Sequence, residues 1–171
     1  GQNYYNYSEL ASDSAYSGAS FGKTFDFQQN EVAVGTRSGV EIYMRDSLYN
    51  WVLEQKIDTF NPFRVYLFDD LLVLCSPEKF GDRSVVIYQK DTNGTFKRKQ
   101  ILKRPIFSTR STGFGTTIAK KGDYLAIGAP GSELPYSPYI ATGLVYIYKL
   151  DSLSDSWKEY AVLSNSNSYK E

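Results

Sequence analysis

Histidine is absent from this sequence, and so is most of what an active site is usually built from. Without imidazole the chain lacks the commonest general base and the commonest transition-metal ligand, so neither a catalytic centre nor a cofactor is expected. A single cysteine, Cys75, excludes any disulfide within one chain; it stands in the apolar run "LLVLCSP" and reads as a buried small thiol rather than a nucleophile. Charge of either sign is not in excess: 19 Lys plus Arg face 19 Asp plus Glu. No long-range field is therefore available to draw in nucleic acid or an anionic membrane surface. Long hydrophobic runs are missing too. None approaches the ~18–20 residues of a membrane span, and no signal peptide is read. Nucleic acid and a membrane span are accordingly left out of the expected partners.

What the sequence does hold is tyrosine, fifteen in 171 residues, on a chain long enough for one domain with a real core. It also holds two acceptor sequons, at Asn6 and Asn93, which would be used only in a secretory compartment. The dominant feature is a threefold internal repeat. "VAVGTR", "LVLCSP" and "LAIGAP" place Gly35, Cys75 and Gly128 at one position. "GVEIY", "SVVIY" and "LVYIY" end at Tyr43, Tyr88 and Tyr148, and an aromatic stands six residues before an aliphatic in Trp51 to Ile57, Phe96 to Leu102 and Trp157 to Leu163.

Each copy reads as four short strands, because its β-branched and aromatic runs are bounded by Gly, Asn, Asp and Pro clusters. In the third copy they are Gly115–Ala119, Tyr124–Gly128, Leu144–Lys149 and Trp157–Leu163, with Gly122 of "KKGD" expected at positive φ in a tight turn. "RDSLYN", "KDTNGT" and "LDSLSDS" are expected to join the third and fourth strands, their side chains capping their own backbone. Gly at the end of the second strand is expected where neighbouring backbones crowd together, and Pro130 where the ladder stops. No helical period runs through ten residues. The organisation is an N-terminal arm 1–20, repeats 21–62, 63–113 and 114–163, and a polar tail 164–171.

The Phe114-Gly115 pair, followed by Gly128-Ala129-Pro130 and "GLVYIY", resembles the FG-GAP repeat of integrin α propellers. The first copy keeps Phe21-Gly22 with Gly35-Thr36-Arg37, the second only Cys75-Ser76-Pro77. "AYSGASFGKTFDF", Ala15 to Phe27, is also similar to the opening of integrin α chains. The resemblance implies an all-β fold of FG-GAP-type β-propeller blades: three four-stranded antiparallel repeats in an incomplete ring, with an extra N-terminal strand. It further implies calcium in the turns between first and second strands. Here those turns, "FQQNE", "FDD" and "KKGD", hold too few oxygen ligands, so Asp69, Asp70 and Asp123 read as ordinary turn residues and "DSLSDS" as an equally thin candidate.

Three blades do not close a ring, and open sheets leave exposed edges. "YYNYSEL" repeats the aromatic-to-aliphatic spacing from Tyr4 to Leu10 and is a spare strand. Tyr4, Tyr5, Tyr7 and Leu10 are therefore the candidate self-association residues, donated to another copy to build a dimer or fibre, unless the arm folds back on its own blade. The family's ligand face corresponds to loops Gly131–Thr142 and Lys103–Gly113, with Tyr136 and Tyr139 as candidate contacts for an extracellular protein or glycan. The basic run Lys97 to Arg104 falls on an outer strand, where cations guard an edge. The expectation is a non-enzymatic extracellular structural or adhesive glycoprotein that associates with itself. A lectin-like or receptor-binding head, or a piece of a longer integrin-like propeller, is the alternative; a hydrolase on a propeller scaffold lacks its residues.

Overall fold

The structure, a computed structural model, describes residues 20–76, 84–103, 113–132 and 143–164. These residues form twelve strands and no helix, hence no helix long and apolar enough to cross a membrane. The strands are β1 (Phe25–Gln28), β2 (Glu31–Gly35), β3 (Gly39–Arg45), β4 (Trp51–Asp58), β5 (Arg64–Leu67), β6 (Leu71–Cys75), β7 (Ser84–Lys90), β8 (Phe96–Lys103), β9 (Thr117–Lys121), β10 (Tyr124–Ala129), β11 (Leu144–Asp151) and β12 (Ser156–Ser164). They make three four-stranded antiparallel meanders: sheet I from β1 to β4, sheet II from β5 to β8 and sheet III from β9 to β12. The all-β reading and its three four-stranded repeats hold.

Turn chemistry explains the hairpins. Asp46 accepts hydrogen bonds from the N–H groups of Leu48 and Asn50, Asp91 from those of Asn93 and Thr95, and Asp151 from that of Leu153. Each third-to-fourth-strand turn is thus closed by one carboxylate on its own backbone. The Asn50 N–H holds the Asp46 carboxyl below its ordinary range, and Lys158 brings that of Asp151 down to about 2. Gly122 sits at φ 53° in the β9–β10 turn, as expected. The first strand of the third repeat starts later than expected, at Thr117, because Gly115 at φ 84° turns the chain before the ladder begins.

Register places Gly35, Cys75 and Gly128 at one position, opposite Val40, Val85 and Val145. The reason for glycine differs from the expected crowding of backbones. A Cβ on Gly128 would lie 2.2 Å from Thr117 Oγ1, and one on Gly35 would lie 2.5 Å from Thr24 Cγ2. A threonine side chain fills the space, Thr117 at the start of β9 or Thr24 just before β1; sheet II pairs Cys75 with Arg64 instead. Each sheet also carries a β-bulge at an equivalent place, between Ile42 and Tyr43, Ile87 and Tyr88, and Ile147 and Tyr148. Each bulge leaves one extra residue on the outer strand: Glu54, Lys99 and Tyr160. Bulges strengthen local twist, so all three outer strands bend alike.

The sheets stack in chain order. One core joins Ala33, Val40 and Ile42 of sheet I to Val65, Leu67, Leu72 and Leu74 of sheet II. A second joins Val73, Cys75, Val85 and Ile87 of sheet II to Leu125, Ile127 and Tyr146 of sheet III and to Phe114 just before it. Sheet II is therefore covered on both faces, which is why β6 reads as an unbroken apolar run and is buried throughout. Full burial of each such aliphatic side chain contributes about 1.5–3 kcal/mol. Cys75 is buried, as expected.

Candidate functional site

Each sheet has a leading face, turned toward the start of the stack, and a trailing face, turned toward its end. The trailing face is read across the strands in register. In sheet I it holds the row Asp26, Ala33, Ile42, Gln55; in sheet II, Tyr66, Val73, Ile87, Gln100; in sheet III, Ala119, Ala126, Ile147, Ala161. The polar ends of the first two rows hook onto the next sheet. Gln55 donates from Nε2 to Phe96 O and accepts from Phe96 N, both at 2.9 Å. Gln100 repeats this on Trp157, at 2.9 Å and 2.7 Å. Phe96 and Trp157 are equivalent positions, and their edge-strand backbone is satisfied by an amide from the preceding sheet.

The inner ends of the rows act similarly. Asp26 Oδ2 and Thr24 Oγ1 accept the N–H groups of Leu67 and Val65, at 2.8 Å and 3.0 Å. Tyr66 donates its hydroxyl to Thr116 O at 3.0 Å, and burial pushes that phenol up. Ion pairs cross both joints: Lys90 to Glu31 at 2.7 Å and Lys99 to Asp155 at 2.6 Å. Two sheet-to-sheet joints thus share one design, with an apolar centre and side-chain hooks at the inner and outer ends.

The stack ends in two faces that, among the described residues, have no neighbouring sheet. On the trailing face of sheet III, Val145 and Leu163 are 36 % and 55 % exposed, whereas their equivalents Val40, Val85, Ile57 and Leu102 are at most 7 % exposed. Thr117, Gly128, Val145 and Leu163 line a shallow hollow of about 530 Å³ on this face. On the leading face of sheet I, Phe25 and Phe27 are 64 % and 52 % exposed, against 3 % and 2 % for their equivalents Val65 and Leu67. Phe27 meets Trp51 edge to face at 5.7 Å, and Phe21 meets Tyr43 likewise at 6.3 Å. Below them Tyr43 donates to Glu41 at 2.6 Å, and Lys56 lies 3.6 Å from that carboxylate. Val32, Val34 and Tyr43 beside them are buried, so apolar exposure on the leading face of sheet I is confined to its inner strand.

Of the residues singled out from sequence, Tyr4, Tyr5, Asn6, Tyr7, Leu10, Tyr136 and Tyr139 lie outside the described residues. Asn93 is exposed at the tip of the β7–β8 hairpin. Asp69 accepts from Gln28 at 2.9 Å across the first joint, Asp70 lies 3.8 Å from Lys120 across the second, and Asp123 is exposed. Among the described residues no cluster of three or more acidic, His or Cys side chains could hold a metal ion. The basic run from Lys97 to Lys103 lies on β8, the outer edge of sheet II, and Arg104 lies outside the described residues. Sequence reasoning missed Gln55, Gln100, Phe25, Phe27, Val145 and Leu163; the signal for them lies in cross-strand rows. No protein-family model matches the chain, and no curated protein is similar to it.

Proposed function

We propose that this chain is a non-enzymatic, extracellular building block whose work is self-association, its three sheets being FG-GAP-like blades of an incomplete propeller. The observation that carries the reading is the set of exposed apolar side chains at the two ends of one stack, Val145 with Leu163 on the trailing face of sheet III and Phe25 with Phe27 on the inner strand of sheet I. Such side chains are stabilised by contact with another apolar sheet, by ~25 cal/mol for each Å² removed from water. The exposed sequon at Asn93 supports a secretory location, since its side chain is open to modification. In this reading the arm segment Tyr4–Leu10 serves as a strand connector between copies.

The test is the native molar mass by light scattering of the full chain beside one lacking residues 1–14. A dimer or larger species for the full chain is the expected result. Loss of assembly in the shortened chain assigns the connection to the arm, and retention assigns it to the sheet faces. A full chain that stays monomeric at every concentration refutes the reading.

A further inference from the structure

We infer, on the self-association reading, that the trailing face of sheet III pairs with the same face of a second copy, about a two-fold axis that runs along the strands between β10 and β11.

Elimination narrows the surface first. Three sheets have six faces, and four of these meet in the two internal joints. The leading face of sheet I is buried at its centre, at Val32, Val34 and Tyr43. That leaves the trailing face of sheet III. Among the described residues it alone is apolar at its centre and open on all four strands, at Ala119 on β9, Tyr124 on β10, Val145 on β11 and Leu163 on β12. The equivalent faces of sheets I and II are each covered by a β-sheet, so another sheet is the cover that continues the pattern. A chain that joins copies of itself through sheet faces therefore has to join like with like.

The face is complementary to itself. Its side chains stand in rows, and within a row β10 and β11 differ in bulk: Gly128 lies beside Val145, and Ala126 beside Ile147. A half-turn about an axis along the strands, midway between β10 and β11, lays β10 of one copy on β11 of the other with every row on itself. The strands stay aligned, as in ordinary face-to-face sheet packing. Val145 then stands over Gly128 of the second copy, and Ile147 over its Ala126. Each large side chain enters the space that a small one leaves, as close packing requires. In the remaining row Tyr124 meets Lys149 of the second copy, which repeats between copies the cation–π contact that these two residues make within one, at 5.5 Å.

The missing hooks fit the same arrangement. Sheets I and II end their central rows in Asp26 and Gln55, and in Tyr66 and Gln100, all of which grip the next repeat; sheet III ends its row in Ala119 and Ala161. About this axis β9 lies on β12 of the second copy, so Ala119 faces Ala161. Long side chains at both places would meet head on, and alanine at both lets the sheets approach. At the rim Lys121 faces Lys158 of the second copy, where Asp151 already pairs with Lys158. Four strands about 4.8 Å apart and three rows about 7 Å apart give each face roughly 400 Å², hence roughly 800 Å² for the joint. That is short of the ~1,200 Å² at which standard interfaces begin, so the dimer is a weak one. Because a single face is used twice, the joint closes at two copies.

Sedimentation velocity over a range of concentrations, on the full chain and on Val145→Asp and Val145→Lys, tests the inference. The wild type is expected to dimerise reversibly. Val145 stands beside the axis, so either substitution sets two like charges near each other at the centre of the joint and is expected to weaken dimerisation at least tenfold, with circular dichroism unchanged. An equimolar mixture of the two variants sets Asp against Lys and is expected to recover association as a one-to-one heterodimer. Only a joint in which the residue approaches its own copy behaves in this way. Affinity that ignores both substitutions, or that fails to return when the folded variants are mixed, overturns the pairing of like faces while leaving self-association standing. A wild-type chain that is monomeric throughout overturns both.

Discussion

Replacing Gln100 by Ala tests whether the glutamine hooks hold the sheets together. The side chain spans from sheet II to Trp157, donating to its carbonyl at 2.9 Å and accepting from its N–H at 2.7 Å. Truncation leaves both backbone groups without these partners on a buried residue. Each unsatisfied buried group costs ~1–3 kcal/mol, and β12 is an outer strand that water reaches in part, so the lower half of that range applies: about 2–4 kcal/mol for the two groups. For a domain of this length, a melting temperature falls roughly 2–4 °C per kcal/mol, giving a drop of about 4–16 °C. Urea unfolding followed by tryptophan fluorescence measures it, with Trp51→Phe as background so that only Trp157 reports. Gln100→Glu keeps the acceptor and loses the donor, and is expected to fall between wild type and Ala. A Gln100→Ala midpoint within ~0.5 kcal/mol of wild type refutes the hook.

Further expectations follow from other contacts. Gly128→Ala sets a Cβ 2.2 Å from Thr117 Oγ1 and is expected to cost about 1–3 kcal/mol, most of it restored by adding Thr117→Ala; no rescue contradicts the glycine–threonine pairing. Phe114→Ala empties a fully buried site edge to face with Tyr146 at 5.5 Å and is expected to cost ~3–5 kcal/mol in denaturant unfolding. The Asp151 carboxyl, held at about 2 against an ordinary 3.8 by Lys158 and the Leu153 N–H, stabilises the folded chain above about pH 4. That contribution is lost as the pH falls toward 2. The melting difference between wild type and Asp151→Asn is therefore expected to close over this interval, and a difference constant from pH 5 to 2 contradicts the assignment.

Much of the fold was legible because β-sheets write local rules into sequence. Alternation, turn clusters and the aromatic-to-aliphatic spacing from Trp51, Phe96 and Trp157 depend only on near neighbours along the chain. The joints were hidden for the opposite reason. Gln55 and Gln100 are unremarkable polar residues in outer strands until the β3–β4 and β7–β8 registers, with their bulges, align them with Ile42 and Ile87. Phe25 and Phe27 carried no distinguishing mark either, since Val65 and Leu67 at the same positions are ordinary core. Exposure separates them, and exposure depends on which sheet lies beyond. Gly128 was recognised as constrained but for another cause, because the clash comes from a side chain across the ladder and not from neighbouring backbones. The residues that the sequence offers for self-association, Tyr4 to Leu10, and the loop tyrosines lie outside the described residues, and the exposed apolar side chains at the ends of the stack follow from the fold alone.

Placing a charge on the exposed trailing face of sheet III tests the central claim, self-association, most directly. Analytical ultracentrifugation of the wild type is expected to show a dimer or larger species, and of Val145→Asp, at a site already 36 % exposed, a weaker association with unchanged circular dichroism. A wild-type chain that sediments as a monomer at every concentration contradicts the account.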